Sequence, residues 1–216
     1  MSTPDYEVAE RRPIATRELA ISHRAAAWLA ACGVTANAIS VAGMISGILA
    51  GFALAGTQFV PPLALLCWLL GAVFIQLRLL ANMLDGMVAV RSGQASRVGE
   101  LYNEVPDRVS DAATFIGLGY AAGSDVTLGF TATGLAIFVA YVRAMGKVAG
   151  AHQEFCGPMA KPQRMAATTI TALICAFLPR AVALHLPAIA LAIISAGCVV
   201  TAIRRLLRIS AALHAR

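Results

Sequence analysis

Residues 62–84 read PLALLCWLLGAVFIQLRLLANML, and from Pro62 to Leu77 the stretch carries no charge. A helix needs roughly 20 apolar residues to cross a bilayer, so this run is long enough to span one. Five more apolar runs surround it, at 37–57, 107–123, 126–146, 165–184 and 187–206. The expected fold is an all-α integral membrane protein with six transmembrane helices. An N-terminal interfacial amphipathic helix is expected to precede them over 17–32 (TRELAISHRAAAWLAA), where Glu18, His23 and Arg24 interrupt an apolar side. The chain reads as a single membrane domain, 1–216: a polar segment over 1–16, the interfacial helix, a six-helix bundle over 37–206 and a cytoplasmic tail over 207–216.

Composition agrees. Apolar residues make up 59% of the chain and charged residues 13%, against roughly 45–50% and 25% in soluble domains. That excludes a soluble enzyme, a disordered tail and a disulfide scaffold. Cys32, Cys67, Cys156, Cys175 and Cys198 lie far apart, without metal or redox spacing, and read as small hydrophobes. The N-terminal MSTPDYEVAERRPIATRE has no short apolar core before a cleavage site, so no cleavable signal peptide is expected. The net charge of +6 comes without basic-aromatic interleaving, so no nucleic-acid partner is expected.

The basic residues set the orientation. Of seventeen Lys and Arg, only Arg180 falls in a connection on the far side of the six-span arrangement. The rest precede the first span, surround the second-to-third and fourth-to-fifth connections, or follow the sixth. The positive-inside bias then places both termini and the two long loops in the cytoplasm. Gly43, Gly47 and Gly51 form an i, i+4, i+8 stripe on the first span, which is expected to let another helix approach closely.

The chemistry concentrates at 78–113, RLLANMLDGMVAVRSGQASRVGELYNEVPDRVSDAA. Five of eleven acids fall there within 27 residues: Asp85, Glu100, Glu104, Asp107 and Asp111. Arg78, Asn82, Asp85 and Ala89 share one helix face, and Gly99, Asn103, Asp107 and Asp111 recur every four residues on the next helix. A turn with Ser92, Gly93 and Ser96 joins them, so the two polar faces are expected to meet at the cytoplasmic mouth of the bundle. Oxygen ligands at these spacings suit a hard divalent cation such as Mg²⁺. Gly86, Ala89 and Gly99 leave the faces bare for a bulky ligand. Polar ties between helices need only one or two such residues, and this cluster exceeds that need. A transporter or proton relay would also place carboxylates in a membrane, but no convincing internal repeat is visible and the acids gather at one face.

This segment resembles the signature of the CDP-alcohol phosphotransferases, membrane enzymes of phospholipid synthesis, D-x2-D-G-x2-A-R-x8-G-x3-D-x3-D. Here the same spacings give Asn82, Asp85–Gly86, Ala89–Val90, Gly99, Asn103 and Asp107. The interfacial helix, a first span opened by GVTANAIS (33–40) and six spans extend the resemblance over most of the chain. The departures are asparagine at the first and third aspartate positions and Val90 for the arginine. Arg91 follows one position late, about 100° round the helix. A second register would use Asp107 and Asp111 as the last two aspartates.

The resemblance implies a transferase that moves a phosphatidyl-type group from a CDP-linked lipid, such as CDP-diacylglycerol, to a small polar alcohol, releasing CMP. It implies Mg²⁺ or Mn²⁺ held by Asp85 and Asp107 with Asn82, Asn103 and Asp111, and Asp107 as the catalytic base. Gly86, Ala89, Arg91 and Gly99 would bind the nucleotide. Arg143, Lys161 and Arg164 would hold acceptor and lipid phosphates, although each also reads as an ordinary positive-inside residue. Glycerol 3-phosphate, inositol or its phosphate, serine and other alcohols all remain open as acceptors. The compact length and the lack of a targeting segment lead to the expectation of an integral, multi-pass protein of the cytoplasmic membrane, in contact with membrane lipids, and the resemblance implies that it can form a homodimer. A catalytically silent relative that binds or scaffolds is the alternative that the missing aspartates suggest. His23, His152, His185 and His214 have no partner at ligand spacing and read as interfacial.

Overall fold

The computed structural model describes residues 19–92 and 97–215. The polar segment 1–16, the start of the interfacial helix, the turn residues Gly93 and Ser96, and Arg216 lie outside these residues, as do the side chains of Arg97, Glu100 and Arg180.

Every regular element among the described residues is helical. In chain order they are α1 (Ala20–Ala31), α2 (Ala36–Phe59), a 3₁₀ turn (Pro61–Leu63), α3 (Ala64–Arg91), α4 (Arg97–Gly119), α5 (Val126–Val148), α6 (Lys161–Phe177), α7 (Arg180–Ala183) and α8 (Leu186–His214). The starts follow local chemistry. The Thr35 hydroxyl accepts from the Ala38 N–H at 3.2 Å and caps α2. The Asp125 carboxylate caps α5 through the Leu128 N–H at 2.9 Å. Proline stands in the first turn of α6 and α8, where its missing N–H costs nothing.

Among the described residues, four helices are long and apolar enough to cross a membrane: α2, α3 with its leading 3₁₀ turn, α5 and α8. The remaining two expected spans differ. The span expected over 107–123 falls in α4, which starts at Arg97, so the stripe from Gly99 to Asp111 lies on this helix as its spacing predicts, with Pro106 inside it. The run expected over 165–184 divides into α6 and α7 at Leu178–Pro179, because Leu178 turns extended and Pro179 has no N–H to continue the ladder. The expected tail 207–216 is helical as far as His214.

Helix α2 is wedged between α3 and α4, and its glycine stripe is the reason. A Cβ on Gly47 would lie 2.3 Å from Ser110 Cβ, and one on Gly51 would lie 2.2 Å from the Ala113 carbonyl oxygen. Gly117 on α4 faces Gly51 main chain to main chain. The stripe therefore serves packing, as its spacing predicts. Below it the core is built from Leu54, Trp68, Ile75, Phe115, Leu191 and Ile194. Helix α1 packs through Ala26 against Met83, Met87 and Val88 of α3, and it leaves Leu19, Ile21 and Trp28 exposed.

Candidate active site

Three helices converge on one small cavity. Its walls are Ser40, Gly43 and Met44 from α2, Arg78, Asn82 and Asp85 from α3, and Asn103, Pro106 and Asp107 from α4. Four of the residues that the sequence singles out for metal binding thus share one space. The polar faces of α3 and α4 meet as their spacing predicts, but α2 supplies a third wall. Ser40 donates its hydroxyl to Asp85 Oδ2 at 2.7 Å, and the Gly86 N–H donates to Asp85 Oδ1 at 2.5 Å. Asp85 is itself buried. The Asn82 amide donates to Asp107 Oδ1 at 2.7 Å and to Asn103 Oδ1 at 3.1 Å.

Asp107 is surrounded by donors. Besides Asn82, it receives Arg78 Nη2 at 3.1 Å on Oδ1 and the Lys161 ammonium on Oδ2. Lys161 sits in the first turn of α6.

Asp111, one turn further along α4, faces different partners. Arg78 Nη2 reaches its Oδ1 at 2.6 Å and Arg164 Nη2 its Oδ2 at 3.2 Å, with the three side chains each only about 2% exposed. Arg78 also donates from Nε to Ser110 Oγ at 2.8 Å, and its Nη1 has no partner among the described residues. Arg164 in turn donates from Nη1 to the Met159 carbonyl at 3.0 Å.

A third cluster lies toward the connection after α5. Glu104 pairs with Arg108 at 2.8 Å and with Arg143 at 2.5 Å. Arg143 also donates to Gln153 at 3.0 Å and lies over the Phe155 ring at 5.5 Å. The loop 149–160 is tied to α8: Arg205 donates to the Cys156 carbonyl at 3.1 Å and the Met159 N–H donates to Thr201 at 3.0 Å, while Arg205 also donates to the Val139 carbonyl of α5 at 2.9 Å.

The family model for CDP-alcohol phosphatidyltransferases matches residues 33–203, most of the chain and all three clusters. The chain belongs to the CDP-alcohol phosphatidyltransferase family. It is 28% identical over 181 residues to the phosphatidylinositol phosphate synthase of Mycolicibacterium smegmatis, covering 80% of this chain and 76% of that protein. It is 27% identical over 137 residues to the inner membrane protein YnbA of Escherichia coli, covering 63% and 66%. Crystal structures of the Mycobacterium tuberculosis phosphatidylinositol phosphate synthase share the fold. The one with CDP-DAG bound superposes with a TM-score of 0.72 over 88% of this chain and 94% of that one, at 22% identity. The one with manganese and citrate gives 0.71 over 87% and 88%.

As a CDP-alcohol phosphatidyltransferase, the chain keeps its expected residues in three places. Asn82, Asp85, Asn103 and Asp107 line the cavity, with Lys161 bonded to its edge through Asp107. Asp111 and Arg164 form a buried pair beside it. Gly86, Ala89 and Gly99 are half-buried, while Arg91 at the end of α3 is exposed. Arg78 and Ser40 were not among the expected site residues. Arg78 was readable, because it shares the helix face of Asn82 and Asp85; Ser40 gave no signal, since a hydroxyl in a span has no diagnostic spacing.

Proposed function

We propose that this chain transfers a phosphatidyl-type group from a CDP-linked lipid to a small polar alcohol and releases CMP. The observation that carries the reading is the convergence of Asn82, Asp85, Asn103 and Asp107, from two successive helices, on a single cavity. The donor set fits a hard divalent cation. It offers two carboxylates and two amide oxygens, with no sulfur or imidazole among them. No three His, Cys, Asp or Glu side chains gather as a metal cluster among the described residues, as expected where two of the four donors are amides. Asp85 and Asp107 would hold Mg²⁺ or Mn²⁺, with Asn82 and Asn103 completing the oxygens. When bound, the cation neutralises charge on the diphosphate.

The chain's own groups do the rest. The acceptor hydroxyl oxygen attacks the lipid-side phosphorus, the bond from that phosphorus to the CMP oxygen breaks, and Asp107 takes the hydroxyl proton. Lys161 and Arg78 hold Asp107 in place for that step. Arg143, on α5 ahead of the loop 149–160, meets acceptor and lipid phosphates, where guanidinium forks suit planar phosphate contacts, while Arg164 is buried on Asp111 and braces α6 against α4. Gly86, Ala89 and Gly99 leave room for the cytidine, and Arg91 stands at the open end of α3.

The same reading sets the topology. Helix α4 and the α6–α7 pair complete six crossings, α1 lies in the interface with Trp28 and Ile21 toward lipid, and both termini and the cavity face the cytoplasm. The chain forms one membrane domain, and its apolar outer faces allow a second copy to dock. A CDP-lipid keeps its acyl chains in the bilayer while nucleotide and alcohol arrive from water, which suits a cavity at the cytoplasmic membrane surface.

The test is CMP release from CDP-diacylglycerol by purified protein with Mg²⁺ or Mn²⁺ and a panel of alcohols. Wild type releases CMP with at least one alcohol, and Asp107→Asn lowers the rate by at least a factor of about 100, the lower end for loss of a general base. Full activity in that variant removes Asp107 from the chemistry.

A further inference from the structure

We infer that this active site takes a single divalent cation, and that the guanidinium of Arg78 and the ammonium of Lys161, both bonded to Asp107, occupy the electrostatic place of a second one. The inference rests on the transferase reading above but makes a separate claim about how charge is distributed.

The carboxylates decide it. Of the four oxygen-bearing side chains from α3 and α4 on the cavity, two are amides, so only Asp85 and Asp107 bring negative charge to it. Of the neighbouring acids on α4 whose side chains are described, Glu104 and Asp111, neither is available to add more. Asp111 is buried with both oxygens on guanidiniums, and Glu104 has one oxygen on Arg108 and the other on Arg143. Two carboxylates balance one divalent ion.

The positive side points the same way. Asp107 Oδ1 already accepts from Arg78 and Oδ2 from Lys161. Both cations come from buried or nearly buried side chains, at 2% and 15% exposure, where charges are weakly screened. A second divalent ion against Asp107 would face both at contact range, with no further carboxylate free to offset it among the described residues. Helix α3 puts Arg78 one turn before Asn82 on the cavity face, and α6 delivers Lys161 from the other side. The cationic ends therefore take one oxygen of Asp107 each, and Asp85 is left as the carboxylate with no ion pair among the described residues, its oxygens meeting only the Ser40 hydroxyl and the Gly86 N–H. An ion held mainly by Asp85, with Asn82 and Asn103 near, satisfies this arrangement.

Mn²⁺ reports the count directly, without turnover. Wild-type protein in nanodiscs is titrated with Mn²⁺ in the presence of CDP-diacylglycerol and no acceptor alcohol, and bound manganese is followed by electron paramagnetic resonance. One Mn²⁺ per chain with an isolated six-line spectrum is expected. Two per chain, or a spin-coupled pair, overturns the inference, as does saturation with no bound Mn²⁺. Lys161→Met removes one competing charge and is expected to lower the Mn²⁺ Kd about tenfold; an unchanged or raised Kd counts against Lys161. Asn82→Asp/Asn103→Asp/Lys161→Met is expected to bind two ions with a coupled spectrum. If the variants fail to fold, the wild-type count decides alone. Failure of the transferase reading shows separately, as absence of CMP release with every alcohol while the ion count stays readable.

Discussion

Replacing Asp111 by asparagine removes a carboxylate shared by two buried arginines. In the wild type its oxygens lie 2.6 Å from Arg78 and 3.2 Å from Arg164. An asparagine keeps one acceptor oxygen and turns an NH₂ toward the other guanidinium, so one buried positive charge loses its counter-charge. Breaking a buried pair by removing one partner costs about 3–5 kcal/mol. For chains of this size a kcal/mol lowers the melting temperature by about 2–4 °C, so a fall of about 6–20 °C is expected. The assay is thermal unfolding of detergent-solubilised protein, with Asp107→Asn alongside. Asp107 sits at the cavity, and its variant is expected to lose CMP release with a smaller thermal change. If Asp111→Asn melts within about 2 °C of wild type and yet loses CMP release while Asp107→Asn keeps it, Asp111 belongs to the chemistry. The register that ends the motif at Asp107 then falls.

Gly51→Val forces a side chain to within 2.2 Å of the Ala113 carbonyl oxygen; overpacking of about 1–3 kcal/mol or more is expected, read as lower folded yield and an earlier melt, and wild-type behaviour would show that α2 and α4 do not touch there. Arg205→Met frees the Cys156 and Val139 carbonyls and loosens the loop 149–160, so KM for the acceptor is expected to rise more than kcat falls, with Arg205→Lys partly restoring it. Equal loss in both parameters would mean that Arg205 acts on the fold alone. Thr35→Ala removes the cap on the Ala38 N–H and is expected to cost about 1 kcal/mol without changing CMP release, measured by melting temperature and initial rate.

The fold class was legible because lipid leaves a spanning chain few choices: runs such as 62–84 must be helical to satisfy their own backbone. The motif face was legible for the same reason, since Asn82 and Asp85 on one helix and Asn103 and Asp107 on the next repeat at helical spacing. Hydropathy alone marks only the apolar part of α4 from 107, and the four-residue recurrence from Gly99 was needed to read the polar turns before it as helix. It also ran α6 and α7 together, since Leu178 and Pro179 are apolar enough to pass while Pro179 ends the hydrogen-bond ladder. The larger omission was that the structural roles of Arg78, Arg164 and Arg205 went unread: Arg205 was counted only as a topological charge, Arg78 only as part of a polar face, and Arg164 as a phosphate contact. Each is buried and bonded to carboxylates or carbonyls, and charge tallies alone do not separate an arginine that meets water from one that holds two helices together.

Where Gly51 of α2 meets Gly117 of α4, the two main chains lie so close that not even a methyl group fits. That seam is therefore shut to hydrocarbon. A lipid whose headgroup reaches Asp85 has to bring its tails in sideways through some other gap between helices, so the doorway for the greasy half of the substrate is set by where glycines are lacking rather than by where they occur.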